Sequence, residues 1–297
     1  MRLITKIIVF WLSLGSVLFA TDFRYVRIDF PNATLTLANG INARGDIVGR
    51  YDDANGVTHG FLLHKGVFST IDFPGVSLTA PRAINARGDI AGRIVDMDGI
   101  EHGFLLRDGQ FTQIDYPGAS KTTARGINNA GDITGRHFDE LGRESGFILK
   151  DGTFVNVHIP LGFSTDVWTA EDNGRVMVGD AAMRPDFGLH GYVRNGPGDF
   201  QLIDFPGLSV PCSGVRWINE RGDMVGGFAY IDVIDDCYSG PPTHGFLLRQ
   251  GEYTAIDFPG STSTNVFGIN DDGVMVGFFN DKKGVAHGFK AVPKSGK

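Results

Sequence analysis

The sequence predicts an all-β protein, a six-bladed β-propeller with four antiparallel strands per blade. Three observations carry that reading. One phrase recurs around the chain, in its cleanest copy Ile71-Asp72-Phe73-Pro74-Gly75, Ala83-Ile84-Asn85, Gly88-Asp89-Ile90-Ala91-Gly92 and His102-Gly103-Phe104-Leu105. Its Ile-Asp-Phe-Pro element starts at Ile28, Ile71, Ile114, Val157 (a degenerate copy), Ile203 and Ile256, at spacings of 43, 43, 43, 46 and 53 residues. A period of this size means that no unit has a private core, so each buries its faces against its neighbours. Finally, 42 Gly, 23 Phe and almost no amphipathic helical pattern suit many short strands joined by tight turns.

Taken in order, the chain opens with Arg2 and Lys6, the apolar run Ile7 to Ala20 and polar Thr21-Asp22. That run is short for a membrane span and has the length of a signal-peptide core. Residues 1–20 are therefore expected to be a signal peptide and the protein to be secreted, extracellular or periplasmic. Leu18 is large for its place before the cut, which leaves an uncleaved anchor as the alternative. Residues 21–293 are expected to form one propeller domain, with 294–297 as a tail.

Phe23 to Phe30 reads as a strand without a unit of its own. The sixth unit ends soon after His287-Gly288-Phe289 and lacks a fourth strand. The leading strand is expected to complete it, which closes the ring and removes the open edges. The third unit shows the grammar: strands at Lys121 to Asn128, Asp132 to Phe138, Gly146 to Lys150 and Thr153 to Ile159. Asn129-Ala130-Gly131 forms a tight turn, and Asp151-Gly152 is a hairpin signal between apolar runs.

The fourth-to-first and second-to-third connections are longer and carry every insertion. In a propeller they emerge on one side of the disc, and function is expected there, since binding residues concentrate on loops held by a rigid scaffold. Cys212 lies in one such connection and Cys237 in another, so the two are expected on the same face as a disulfide. The 27 basic and 34 acidic residues leave a charge of −7, which argues against nucleic acid or anionic lipid as a partner.

These motifs resemble the bacterial extracellular repeat family called HAF. Its pattern is carried here by Gly40-Ile41-Asn42, Gly45-Asp46-Ile47-Val48-Gly49, His59-Gly60-Phe61 and Ile71-Asp72-Phe73-Pro74-Gly75, and it recurs around essentially the whole mature chain. The fourth unit departs most, with Glu171 in place of the Asn and Asp180 after Val178-Gly179. The resemblance implies secretion and a propeller, and it transfers no activity to any residue.

Residues present in every unit read as structure. His59, His102, His190, His244 and His287 stand one per blade, too far apart to share a metal, and each is expected to bond nearby backbone. Asp29, Asp72, Asp115, Asp204 and Asp257 receive the same reading, and the Phe61, Phe104, Phe147, Phe246 and Phe289 set reads as core. The loop acids Asp53, Asp96, Asp139 and Asp281 read as turn formers, with calcium ligation as the alternative that Asp96-Met97-Asp98-Gly99 approaches nearest. No other cofactor or metal is called for.

Positions that differ between units point to function. Two residues before the first-strand Ile stand Asn39, Arg82, Arg125, Trp168, Arg216 and Phe267, which would ring the channel mouth. After the second-strand Gly come Arg50, Arg93, Arg136, Asp180, Gly227 and Phe278. The arginine arc is a candidate anion site, because guanidinium grips carboxylates bidentately. Its alternative is that these arginines pair with acids such as Asp53, Asp96 and Asp139 and stitch blades together. The insertion Tyr230 to Thr243, with Asp232, Asp235, Asp236 and Tyr238, could join Trp168 and Trp217 in an aromatic platform suited to sugar faces or protein.

No catalytic signature is present: no Gly-x-Ser-x-Gly, no His-Glu-x-x-His, no phosphate loop. The expected function is a secreted, monomeric binding module for a glycan or an extracellular protein. Its rivals are a hydrolase or lyase acting on an acidic carbohydrate or ester through Glu171 or Asp180, and a structural module of the cell envelope.

Overall fold

The computed structural model describes residues 18–19, 23–233, 237 and 240–294. Six inner strands, Leu35–Ile41, Leu78–Ile84, Lys121–Ile127, Gly162–Ala170, Ser213–Ile218 and Ser263–Ile269, contact one another in a closed ring. Each carries three further strands outward in antiparallel order. In the third unit Lys121–Ile127 is followed by Ile133–Phe138, Glu144–Lys150 and Thr153–Val157. Among the described residues this makes a six-bladed β-propeller, in which one parallel pair, Thr58 and Leu78, also joins the first two sheets at a corner.

Phe23–Ile28 supplies the outer strand of the last unit, antiparallel to Ala286–Pro293, with Ile28 opposite Gly288. Leu18–Phe19 runs parallel to the outer strand of the fifth unit, opposite Thr254 and Ala255. The rest of the expected signal peptide and tail positions 295–297 lie outside the described residues. No helix among them is long and apolar enough to cross a membrane. Cys212 and Cys237 are bonded, with their Cα atoms 5.7 Å apart.

The repeated phrase is a blade-to-blade bolt. Its Ile closes the outer strand of one unit, and its Phe crosses into the next. Phe73 packs with Ile84, Ile90, Ile94, Phe104 and Phe111 of the second unit. Phe30 stacks on Tyr51 at 3.6 Å, Phe205 on Phe228 at 3.6 Å and Phe258 on Phe279 at 3.7 Å. The Phe backbone N–H donates to a hydroxyl of the following inner strand, as Phe73 does to Thr79 Oγ1 at 3.0 Å. The second-strand glycine is required because the aromatic ring lies on the strand. A Cβ on Gly135 would stand 2.0 Å from the Thr123 carbonyl oxygen and 2.9 Å from the Phe147 ring.

The repeated histidines bond carboxylates, not the backbone expected from the sequence. His102 Nδ1 lies 2.6 Å from Asp115, which ends the outer strand, and Nε2 lies 3.3 Å from Asp96 of the preceding loop. His190 sits likewise between Asp204 at 2.7 Å and Asp186 at 3.2 Å. His287 meets Asp29 at 3.0 Å across the ring closure. His102 and His190 thus pin a loop of the variable face to their own blades. In the third unit both members change together, to Ser145 and His158. The loop acids meanwhile shape turns: Asp96 Oδ1 accepts the N–H groups of Asp98 and Ile100, and Asp53, Asp139 and Asp281 do the same in their own loops. Among the described residues no group of three or more His, Cys, Asp and Glu could hold a metal ion.

Burial alone would lower the pKa of His102 and His190, but the hydrogen bonds to their aspartates outweigh it and raise both. Both rings therefore bind a proton more tightly folded than unfolded. Their stabilisation is complete below the unfolded value of about 6.5 and is lost as the pH rises through the raised folded values. Urea unfolding at a series of pH values should show the midpoint falling above about pH 6.5, and His190→Gln should flatten that fall. A midpoint that climbs across the same range would contradict the assignment.

Candidate ligand site at the channel mouth

Every inner strand slips register by one residue at the same place. The shifts fall between Ala38 and Gly40, Pro81 and Ala83, Ala124 and Gly126, Val167 and Thr169, Val215 and Trp217, and Val266 and Gly268. The extra residues are Asn39, Arg82, Arg125, Trp168, Arg216 and Phe267, the six variable positions read from the sequence. A β-bulge frees one residue from the ladder and re-aims its side chain. The side chains meet inside the channel: Trp168 of the fourth unit stacks on Phe267 of the sixth, with centroids 5.9 Å apart.

The ring is well filled. Trp168 is held between the guanidiniums of Arg125 at 4.4 Å and Arg216 at 4.3 Å, a double cation–π contact. Trp168 is 8% exposed in this stack, which leaves little of the indole for the sugar platform expected from the sequence. Its Nε1 donates to Asp180 at 2.9 Å, and Asp180 also accepts from Arg216. Burial pushes the Arg216 pKa down to about 10, with Arg125 adding to the effect.

One rank toward the loop-rich face stand Arg50, Arg93, Arg136, Asp180, Gly227 and Phe278, opposite Leu37, Ala80, Thr123, Asp166, Gly214 and Asn265. The arginines do find acids, although not Asp53, Asp96 or Asp139. Arg125 reaches Asp166 at 2.8 Å, a pair in which both side chains are buried. Arg136 reaches Glu144 at 2.9 Å and Asp166 at 3.6 Å. Arg93 pairs with Glu101, which also accepts from Thr123 of the next unit. Glu101, Glu144 and Asp166 were missed as site residues, yet a signal exists: aligned by unit, Asp166 stands where other copies carry Leu37, Ala80, Thr123, Gly214 and Asn265.

Two arginines have no partner. Arg50 and Arg82 make no hydrogen bond or ion pair within the described residues, and their Nε atoms are buried and unsatisfied. Burial, then Arg125, Arg93 and Arg50, push the Arg82 pKa well down.

Two expected site residues lie elsewhere. Trp217 packs against apolar clusters of the second and third units as well as of the fifth and sixth, so it reaches across the axis and plugs the channel. Other units have Gly40, Ala83, Gly126, Thr169 and Gly268 at that place. Trp217 borders a cavity of about 70 Å³ at the opposite mouth, among Asn42, Asn85, Asn128, Asn219 and Asn270. Glu171 belongs to that mouth too, where Asn128 Nδ2 donates to its carbonyl at 3.0 Å. Glu171 and Asp180 therefore stand at opposite ends of the fourth unit and share no cleft. Of the fifth-unit insertion, Asp235, Asp236 and Tyr238 lie outside the described residues.

No protein-family model matches the chain, and no curated protein matches it. Solved structures do match in fold. The fucose-specific lectin of Aleuria aurantia is similar with a TM-score of 0.52 at 11% identity, covering 90% of this chain and 99% of the lectin. A triple arginine-to-alanine mutant of AofleA from Arthrobotrys oligospora gives 0.52 at 13% identity, covering 90% and 86%. XC5397 of Xanthomonas campestris, a gluconolactonase, gives 0.54 at 12% identity, covering 92% and 90%. At these identities the likeness establishes the fold alone.

Asp166→Asn keeps the shape of the buried cluster and removes its charge, leaving Arg125 and Arg136 short of a partner. The expected loss is about 3–5 kcal/mol in urea unfolding. A loss below about 1 kcal/mol would place the pair in the range of solvent-screened surface bridges.

Proposed function

We propose that this protein is a secreted carbohydrate-binding module whose ligand enters the channel mouth on the loop-rich face. One observation carries the reading: the bulge positions, where the repeat leaves side-chain choice open, hold a convergent set of guanidiniums and aromatic rings. Concave sites with few, well-placed polar groups among apolar ones suit small-ligand recognition. Phe267 and Phe278 keep part of their surface exposed there, and aromatic surface suits sugar C–H faces. The similar propellers include a fucose-specific lectin, which supports this use of the architecture. The disulfide and the HAF resemblance support export.

The rival hydrolase or lyase reading finds less support. The similar gluconolactonase keeps it in view, but Asp166 and Asp180 already accept from arginines and Glu171 faces the other way. Among the described residues the acids of the mouth, Glu101, Glu144, Asp166 and Asp180, are each paired with an arginine. A protein partner would use a different feature, the exposed loop tips Met97, Leu141 and Phe187.

A glycan array probed with the mature protein tests the proposal. The wild type should retain a defined set of glycans, and Arg82→Ala should weaken retention at least tenfold. Asn173→Ala, on the opposite face, should leave it unchanged. A silent array, or equal loss from Asn173→Ala, would overturn the reading.

A further inference from the structure

The repeat frame supplies an acid to four of the six mouth arginines and withholds it from two neighbours. In the second and third units the second-strand arginine is met by a glutamate that begins the third strand: Arg93 by Glu101 and Arg136 by Glu144. In the first unit that place belongs to Thr58, so Arg50 has no such partner. Among the bulge arginines, Arg125 is met by Asp166 of the following unit and Arg216 by Asp180 of the preceding one. For Arg82 the corresponding residue of the following unit is Thr123, whose hydroxyl is committed to Glu101. Arg82 feels the charges of Arg125, Arg93 and Arg50, and Arg50 feels that of Arg93.

We infer that Arg50 and Arg82, backed by Arg93, form a subsite for a carboxylate borne by the sugar ligand. Clustered guanidiniums repel one another, and burial removes the water that would screen them. The only negative groups among the leading influences on these two are Glu101, which Arg93 holds, and Asp52, which accepts from the Thr58 hydroxyl at 2.6 Å. The buried Nε atoms lack acceptors. Next to them Asn39 donates to the Pro81 carbonyl at 2.7 Å and leaves its own Oδ1 without a donor. Guanidinium forks match a carboxylate bidentately, and the orphan amide oxygen matches a hydroxyl. A uronic acid offers both on one ring. The carboxylate claim rests on these contacts, while naming a sugar as its carrier rests on the carbohydrate-binding proposal.

Isothermal titration at fixed ionic strength, with glucuronate, its neutral methyl ester, glucose and tetraglutamate as probes, tests the subsite. Glucuronate should bind, and the ester and glucose at least tenfold more weakly. Arg82→Met should lose glucuronate at least tenfold. The double variant Asp52→Val with Thr58→Glu copies the Val95 and Glu101 pair of the second unit and gives Arg50 an internal partner. It should keep or raise the unfolding temperature yet lose glucuronate to the same degree. Thr123→Asp gives Arg82 the partner that Arg125 has and should act alike. Equal affinity for glucuronate and its ester, or full binding by the folded partner-supplying variants, overturns the subsite even where the array reports glycans. Glucuronate binding beside a silent array keeps the subsite and removes the glycan proposal. Tetraglutamate binding tighter than glucuronate overturns the sugar carrier in favour of an acidic peptide.

Discussion

A belt of asparagine side chains around the channel axis holds the blades in register. Asn85 shows the full set of contacts. Its Nδ2 donates to Asp89 at 3.0 Å and to the Asn128 carbonyl of the next unit at 3.1 Å. Its Oδ1 accepts the N–H groups of Arg87, Gly88 and Asp89, which closes the turn. The same reach runs from Asn42 to Asn85, Asn128 to Glu171, Asn219 to Asn270, and finally Asn270 to Asn42 across the chain ends. A buried amide satisfied on every side is costly to disturb, since any one loss strands several groups. The Ile-Asn of the repeat is thus a demand of ring closure, as the Phe of Ile-Asp-Phe-Pro is a demand of blade packing.

The belt has one break, and the charges of the channel are arranged around it. Glu171 has no amide hydrogens to offer the fifth unit. At that same junction, on the other side of the bulge rank, Arg216 and the Trp168 indole both bind Asp180. The lost neutral link is replaced by a charged one. Around the break Asp172, Glu220 and Asp271 accumulate, and burial, then Asp172, Glu171 and Asp271, raise the Glu220 pKa. One mouth is therefore acidic and the other basic, with Trp217 between them. On a chain of net charge −7 the basic mouth is a local exception, and low-dielectric walls focus such a field.

Much of this was legible because repetition separates scaffold from individuality. Six copies of one phrase gave the blade count, and the missing last strand gave the closure by Phe23–Ile28. The shared side of the two longer connections gave the Cys212–Cys237 bond. The bulge explains why one position per inner strand varies freely: its residue leaves the ladder, so any side chain fits the backbone. Pairing between separate motifs was not legible. His102 and Asp115 stand 13 residues apart in separate motifs, and only the strand register brings them together. Asp166 read as one more strand residue, and Trp217 looked like a neighbour of Trp168 because their positions in the repeat are adjacent, which conceals the bulge that separates them.

The same geometry bears on how specificity arises in this scaffold. A ring position that owes nothing to the ladder can carry Arg, Trp, Phe or Asn without altering blade packing, whereas a charge placed there must be answered by another blade. Where the answer comes from the protein, as Asp166 answers Arg125, the result is a stitch between sheets. Where it does not, as at Arg82, the uncompensated charge is available to a ligand. Stability and recognition then draw on one set of residues.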